Sequence, residues 1–133
     1  NVIGPRVLGS LEYGCLVGGA KLIVVMGHRH SGMVKLALED AIARKSDNTL
    51  SPNLRAILSE IQQSIEPGER DLLRKGDPSA KDQLADKVVR RNVQHTAQQI
   101  LSQSAILRQL VDENKIAMVG AVFNSEDGRV EMF

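Results

Sequence analysis

The chain has 133 residues, enough for one domain with one modest core. Its 17 Lys and Arg nearly balance 16 Asp and Glu, leaving a net charge of +1, and aromatics make up only 2%, so the composition argues against a nucleic-acid surface, an anionic-membrane partner or a base-stacking platform. No apolar run approaches the roughly 18 residues of a membrane span, and the lone cysteine, Cys15, excludes an internal disulfide and suits a reducing, cytoplasmic compartment.

The chain opens on Asn1 with no basic segment followed by an apolar one, so it carries no signal-peptide pattern, and it reads as a piece of something longer. Asn1 to Gly4 is loop-like. Pro5 suits a first helical turn, because its missing N–H has no partner to lose there. Val7, Leu8, Leu11, Cys15 and Leu16 follow at helical spacing, and Gly18-Gly19 stops the helix.

Lys21 to Met26 comes next. Its apolar run from Leu22 to Met26 is short and β-branched, which predicts a strand buried on both faces. Gly27 is expected to let the backbone bend, and a helix is expected from about Met33 to Ala43. Strand, tight turn and helix form the layout in which open α/β sheets place their chemistry, which makes His28 the first candidate functional residue.

Lys45 to Leu50 reads as a loop. Pro52 begins an amphipathic helix carrying Leu54, Ile57, Leu58, Ile61 and Ile65, ended or kinked at Pro67-Gly68. Glu69 to Ala80 is charged and reads as a solvated connector, with a helical scrap at Leu72-Leu73 and a break at Gly76-Asp77-Pro78. Lys81 to about Glu113 is the longest helical pattern, with a bend expected near Ser102 to Ser104. Ile116 to Phe123 is a second buried strand. Asn124 to Gly128 is a turn, and Arg129 to Phe133 a short returning edge strand. Two buried strands and one edge strand leave the first strand short of a neighbour, which points to strands upstream of Asn1.

Several segments carry a resemblance. They are Leu8-Gly9-Ser10-Leu11-Glu12-Tyr13, then Lys21 to His28, then Gly32 with Val34-Lys35, Asn92-Val93 and His95-Thr96, Val119 to Val122, and Asp127 to Glu131. In this order they resemble the β class of carbonic anhydrases, and Asn1 is similar to the Asn of that family's Gly-Asn pair. The resemblance covers nearly all of residues 1–133. It implies an α/β fold, a single domain with a mostly parallel sheet flanked by helices and lacking its first strands, and a homodimer or larger homo-oligomer.

The resemblance also implies chemistry. In the family, zinc is held by one Cys near the first strand and by a His-x-x-Cys pair, beside an Asp–Arg pair. The metal lowers the pKa of bound water, and the resulting hydroxide attacks carbon dioxide. His28 matches the His ligand, Ser31 stands where the second Cys belongs, and Gly32 matches the glycine after it. The segment carrying the first Cys, the Asp and the Arg would precede Asn1. A serine hydroxyl does not ionise near neutrality as a thiol does, so this chain is expected to have lost or impaired zinc binding and hydration of carbon dioxide to bicarbonate. Beside that stands a non-catalytic interaction or regulatory domain, because related domains are also fused to sulfate-permease-type anion transporters.

The remaining candidates have plainer readings. His30 is expected to be a solvent-facing turn residue, with a small chance geometry of sharing a metal with His28. Arg29 is expected at the surface near the helix entrance, Cys15 as a small buried side chain, and His95 at the surface or an interface.

Overall fold

A computed structural model describes residues 1–43, 50–74 and 78–133. Helix α1 spans Pro5–Leu16, with Pro5 at its start and the N–H groups of Val17 and Gly18 both donating to the Tyr13 carbonyl at its end. Gly19, at φ 73°, turns the chain into strand β1, Leu22–His28. Helix α2 spans Gly32–Ile42 and helix α3 Pro52–Gln62; the expected loop at Lys45 to Leu50 lies, apart from Leu50, outside the described residues.

The stretch expected to be a solvated connector is mostly exposed where it is described, but it sends one residue into the core. Glu69–Arg74 forms helix α4, and Leu73 is only 3% exposed, packed with Leu38, Leu84 and Val88. Residues 75–77 of the expected break lie outside the described residues, and Pro78 starts the long helix α5, Pro78–Gln103, three residues before the expected start at Lys81. The expected bend falls at Ser104, which caps a separate helix α6, Ala105–Asp112. Strand β2, Ala117–Phe123, and strand β3, Val130–Met132, complete the chain.

The sheet order is β1-β2-β3, with β1 and β2 parallel and β3 antiparallel. The Asn124–Gly128 turn is closed by Asn124 N–H donating to the Arg129 carbonyl at 2.8 Å, with Gly128 at φ 73°. Helix α5 crosses one face of the sheet. There Ile23, Val25, Val93 and Ile100 are buried together, and Val88, Val89 and Val122 join a second cluster with α2, α3 and α4.

Burial of β1 on both faces is overturned. Ile23 and Val25 are buried, whereas Leu22, Val24 and Met26 are 50%, 39% and 45% exposed. The reason is that α5 covers one face only and successive strand side chains point to opposite faces. In register, Met26 lies beside Ala121 and Ala121 beside Met132; Ala121 itself is fully buried, and the exposed apolar side chains of this face are Leu22, Val24 and Met26 on β1 and Val130 and Met132 on β3. Among the described residues β1 pairs with β2 alone. The mostly parallel expectation holds for the β1–β2 pair, and β3 makes the sheet mixed.

Candidate functional site

The carboxyl ends of β1 and β2 finish together: His28 lies beside Phe123, and the Arg29 N–H donates to the Phe123 carbonyl at 2.9 Å. His28 is therefore the last residue of the strand, not a residue beyond it. Gly27 does not bend the chain as expected; it stays in register with Val122. Its missing side chain serves packing, since a Cβ would stand 2.8 Å from Val89 Cγ1 and 3.0 Å from Val93 Cγ2. The bend belongs to His30, at φ 55°.

Ser31 follows as the N-cap of α2. It is 9% exposed, and its Oγ accepts from the Val34 N–H at 3.4 Å while its carbonyl accepts from Lys35 N–H at 3.0 Å. The hydroxyl thus has a structural task, satisfying one of the unpaired N–H groups of the first helical turn. Gly32 is the first helical residue, with open space where its Cβ would be.

The His28 ring is exposed, with Nδ1 3.1 Å from the Arg29 carbonyl oxygen. A carbonyl only accepts, so Nδ1 is the donor in this bond, and in the neutral ring that leaves the Nε2 lone pair available. The neighbouring side chains turn outward: Arg29 Nε lies 4.0 Å from Asp86, and His30 Nε2 lies 3.3 Å from Glu126 in the β2–β3 turn. His30 is thus held by the hairpin turn rather than brought to a common ligand site with His28, and such exposed pairs add little stability.

Behind His28 and Ser31 lies a cavity of about 210 Å³. Its apolar lining comes from Met26, Met33, Val34, Ile61 and Val89. Its far wall is Asn1 and Val2, backed by Asn92. Asn92 carries part of the family resemblance, and the sequence alone assigns it no role in the site. It is 3% exposed, and both ends of its amide bind the backbone of Asn1: Oδ1 accepts from the Asn1 nitrogen, and Nδ2 donates to the Asn1 carbonyl at 3.1 Å. A signal was present, since an amide within the Val88-Val89-Val93 stripe has to find a partner when buried.

Cys15 is 8% exposed within the α1 cluster, as expected for a small core side chain. His95, half-buried, bonds Gln63 through Nε2 at 3.0 Å. Zinc would need about three donors here. The site offers one imidazole lone pair and a hydroxyl already committed to the helix, and among the described residues no three His, Cys, Asp or Glu side chains converge on one point. These residues do not fit the metal.

Comparison with known proteins locates this architecture. The carbonic anhydrase family profile matches residues 1–130. "Carbonic anhydrase 2" of Mycobacterium tuberculosis is 31% identical over 130 residues, covering 97% of this chain and 56% of the relative. The carbonic anhydrase of Mycolicibacterium smegmatis is 31% identical over 132 residues, covering 99% of this chain and 58% of the relative. The chain therefore spans little more than half the length of these curated relatives. Among solved structures, a tetrameric β-carbonic anhydrase of Sordaria macrospora superposes with a TM-score of 0.76 at 19% identity, covering 99% of this chain and 63% of the other. The Coccomyxa β-carbonic anhydrase in complex with acetazolamide superposes with a TM-score of 0.69 at 21% identity, covering 94% and 52%. At such identities the structural matches speak to fold.

Proposed function

This chain belongs to the β-carbonic anhydrase family, and from that premise we propose that it is a family scaffold whose zinc site is degenerate. In this reading the reversible hydration of carbon dioxide is lost or impaired in the chain as it stands, with His28 a remnant ligand and Ser31 in place of a thiolate. The observation that supports it is the Ser31 hydroxyl, buried at the mouth of α2 and bonded to Val34 N–H. A neutral hydroxyl makes a good helix cap and a poor zinc ligand, whereas a cysteine there would ionise when metal binds. No step of hydration is assigned to these residues.

Elemental analysis of the purified protein tests the reading. It predicts zinc far below one ion per chain and no chelator-sensitive hydration of carbon dioxide. Ser31→Cys, which sets a thiolate beside the His28 lone pair, is predicted to raise zinc affinity at least tenfold. Stoichiometric zinc in the unmodified protein would overturn the reading.

The same reading makes the chain a homo-oligomer. The exposed apolar side chains of Leu22, Val24, Met26, Val130 and Met132 on the uncovered sheet face support this, because large exposed apolar patches are uncommon on monomers. The tetramers named for the Sordaria enzymes add to it.

A further inference from the structure

The cavity behind His28 has one wall that belongs to no helix or strand. Asn1 and Val2 line it, and they line as well a second groove, of about 320 Å³, between the amino-terminal segment and β1. Gly4, the N-cap of α1, has no side chain to tie this segment to the helix. Asn92 does tie it, reaching from the middle of α5 to a residue 91 positions away and closing two hydrogen bonds, one with the amino-terminal nitrogen of Asn1 and one with its carbonyl.

We infer that Asn92 is a positioning residue, fixing the Asn1–Val2 backbone as the wall that sets the width of the His28–Ser31 cavity. The inference rests on reading that cavity as the functional site. The two-ended bond is what suits an amide to the task. A serine or threonine could satisfy one backbone group and leave the segment free to swing about it; a carboxamide meets an N–H and a C=O at once and fixes both distance and direction. The Asn92 amide is itself buried, so water reaches this pair of bonds only from the exposed Asn1 side. Val89, about one turn earlier on the same helix, and Val93, the next residue, pack against β1 at Gly27. Helix α5 therefore sets both sides of the cavity, one through these valines and the other through Asn92.

The four methionines supply the test. Met26 and Met33 line this cavity, whereas Met118 and Met132 do not. In the protein labelled with ¹³C at the methionine methyl groups, Asn92→Ala is expected to shift the Met26 and Met33 signals and leave Met118 and Met132 in place. The backbone resonances of Val2 and Ile3 are expected to move while those of Ile23 and Val25 stay in place. Asn92→Asp keeps the shape and one acceptor but loses the donor to the Asn1 carbonyl, and it is expected to move the same two methyl signals by less. It serves where the alanine variant does not fold. Unmoved Met26 and Met33 signals in a folded variant, or equal movement of all four, would overturn the inference. Neither readout needs zinc or turnover, so the degenerate-site reading can fail while this one stands, and the reverse.

Discussion

Ser104 and Glu12, 92 positions apart in sequence, share a hydrogen bond of 2.6 Å in which the hydroxyl donates to Glu12 Oε1. The same Ser104 Oγ accepts from the Leu107 N–H at 3.2 Å, so one buried side chain caps α6 and ties it to α1. Ser104→Ala removes the cap and leaves Glu12 without this donor. The expected loss is about 1–2 kcal/mol of unfolding free energy, read as a lower urea midpoint at unchanged m-value. Glu12→Gln keeps an acceptor in place and is expected to cost less than half as much.

Gly27 and Gly120 both face α5 or the chain's end closely, yet they should respond differently to a methyl group. At Gly27 the Cβ would meet Val89 and Val93, which are 4% and 0% exposed and held by the helix. Gly27→Ala is expected to cost about 1–3 kcal/mol through overpacking. At Gly120 the Cβ would come 2.7 Å from Phe133 Cε2 and 3.0 Å from Val93 Cγ1. The first contact there is the edge of the half-buried Phe133 ring rather than two core valines, so thermal melting should show the smaller loss for Gly120→Ala.

Arg91 binds Glu69 with both terminal nitrogens, one of them at 2.9 Å from Oε2, on a partly buried surface. Burial pushes the Glu69 carboxyl up, but the Arg91 hydrogen bonds, the Glu66 N–H and the charges of Arg91 and Lys87 outweigh it and hold the group below its ordinary 4.5. A carboxyl depressed in the folded state adds stability above that ordinary value, and the contribution is lost as pH falls below it through the folded value. Glu69→Gln should therefore cost roughly 1–3 kcal/mol at pH 7. The difference from the unmodified protein should shrink as pH falls below 4.5, measured by urea unfolding across the acid range.

Ser31→Ala removes the α2 cap without adding a metal donor. An N-cap of this kind is worth about 1 kcal/mol. Denaturation should register that loss while the zinc content stays as low as in the unmodified protein. A fall in bound zinc on this change would show the hydroxyl acting as a ligand.

The uncovered sheet face predicts a change in assembly. Val24 is 39% exposed among apolar neighbours. Val24→Lys should lower the mass measured by sedimentation equilibrium, because burying an unpaired ammonium at an interface is costly. An unchanged mass would place the contact between copies elsewhere.

Much of this architecture was legible along the chain because its signals are local. Pro5 and Pro52 start helices, Gly18-Gly19 ends one, and Asp127-Gly128 turns a hairpin, each through backbone preferences that need no distant partner. The order of quoted segments carried the family, and the substitution of Ser31 for a thiol was visible directly. Three things could be decided only by the tertiary fold. Leu73 is core because α2 and α5 converge on α4, although its charged flanks look like a connector. β1 is covered on one face because a single long helix crosses it, although its composition is apolar throughout. Asn92 has meaning only with Asn1 beside it. Local propensity acts over a few bonds, whereas burial and hydrogen-bond pairing depend on which distant segments meet, and those meetings are set by the packing of the whole chain.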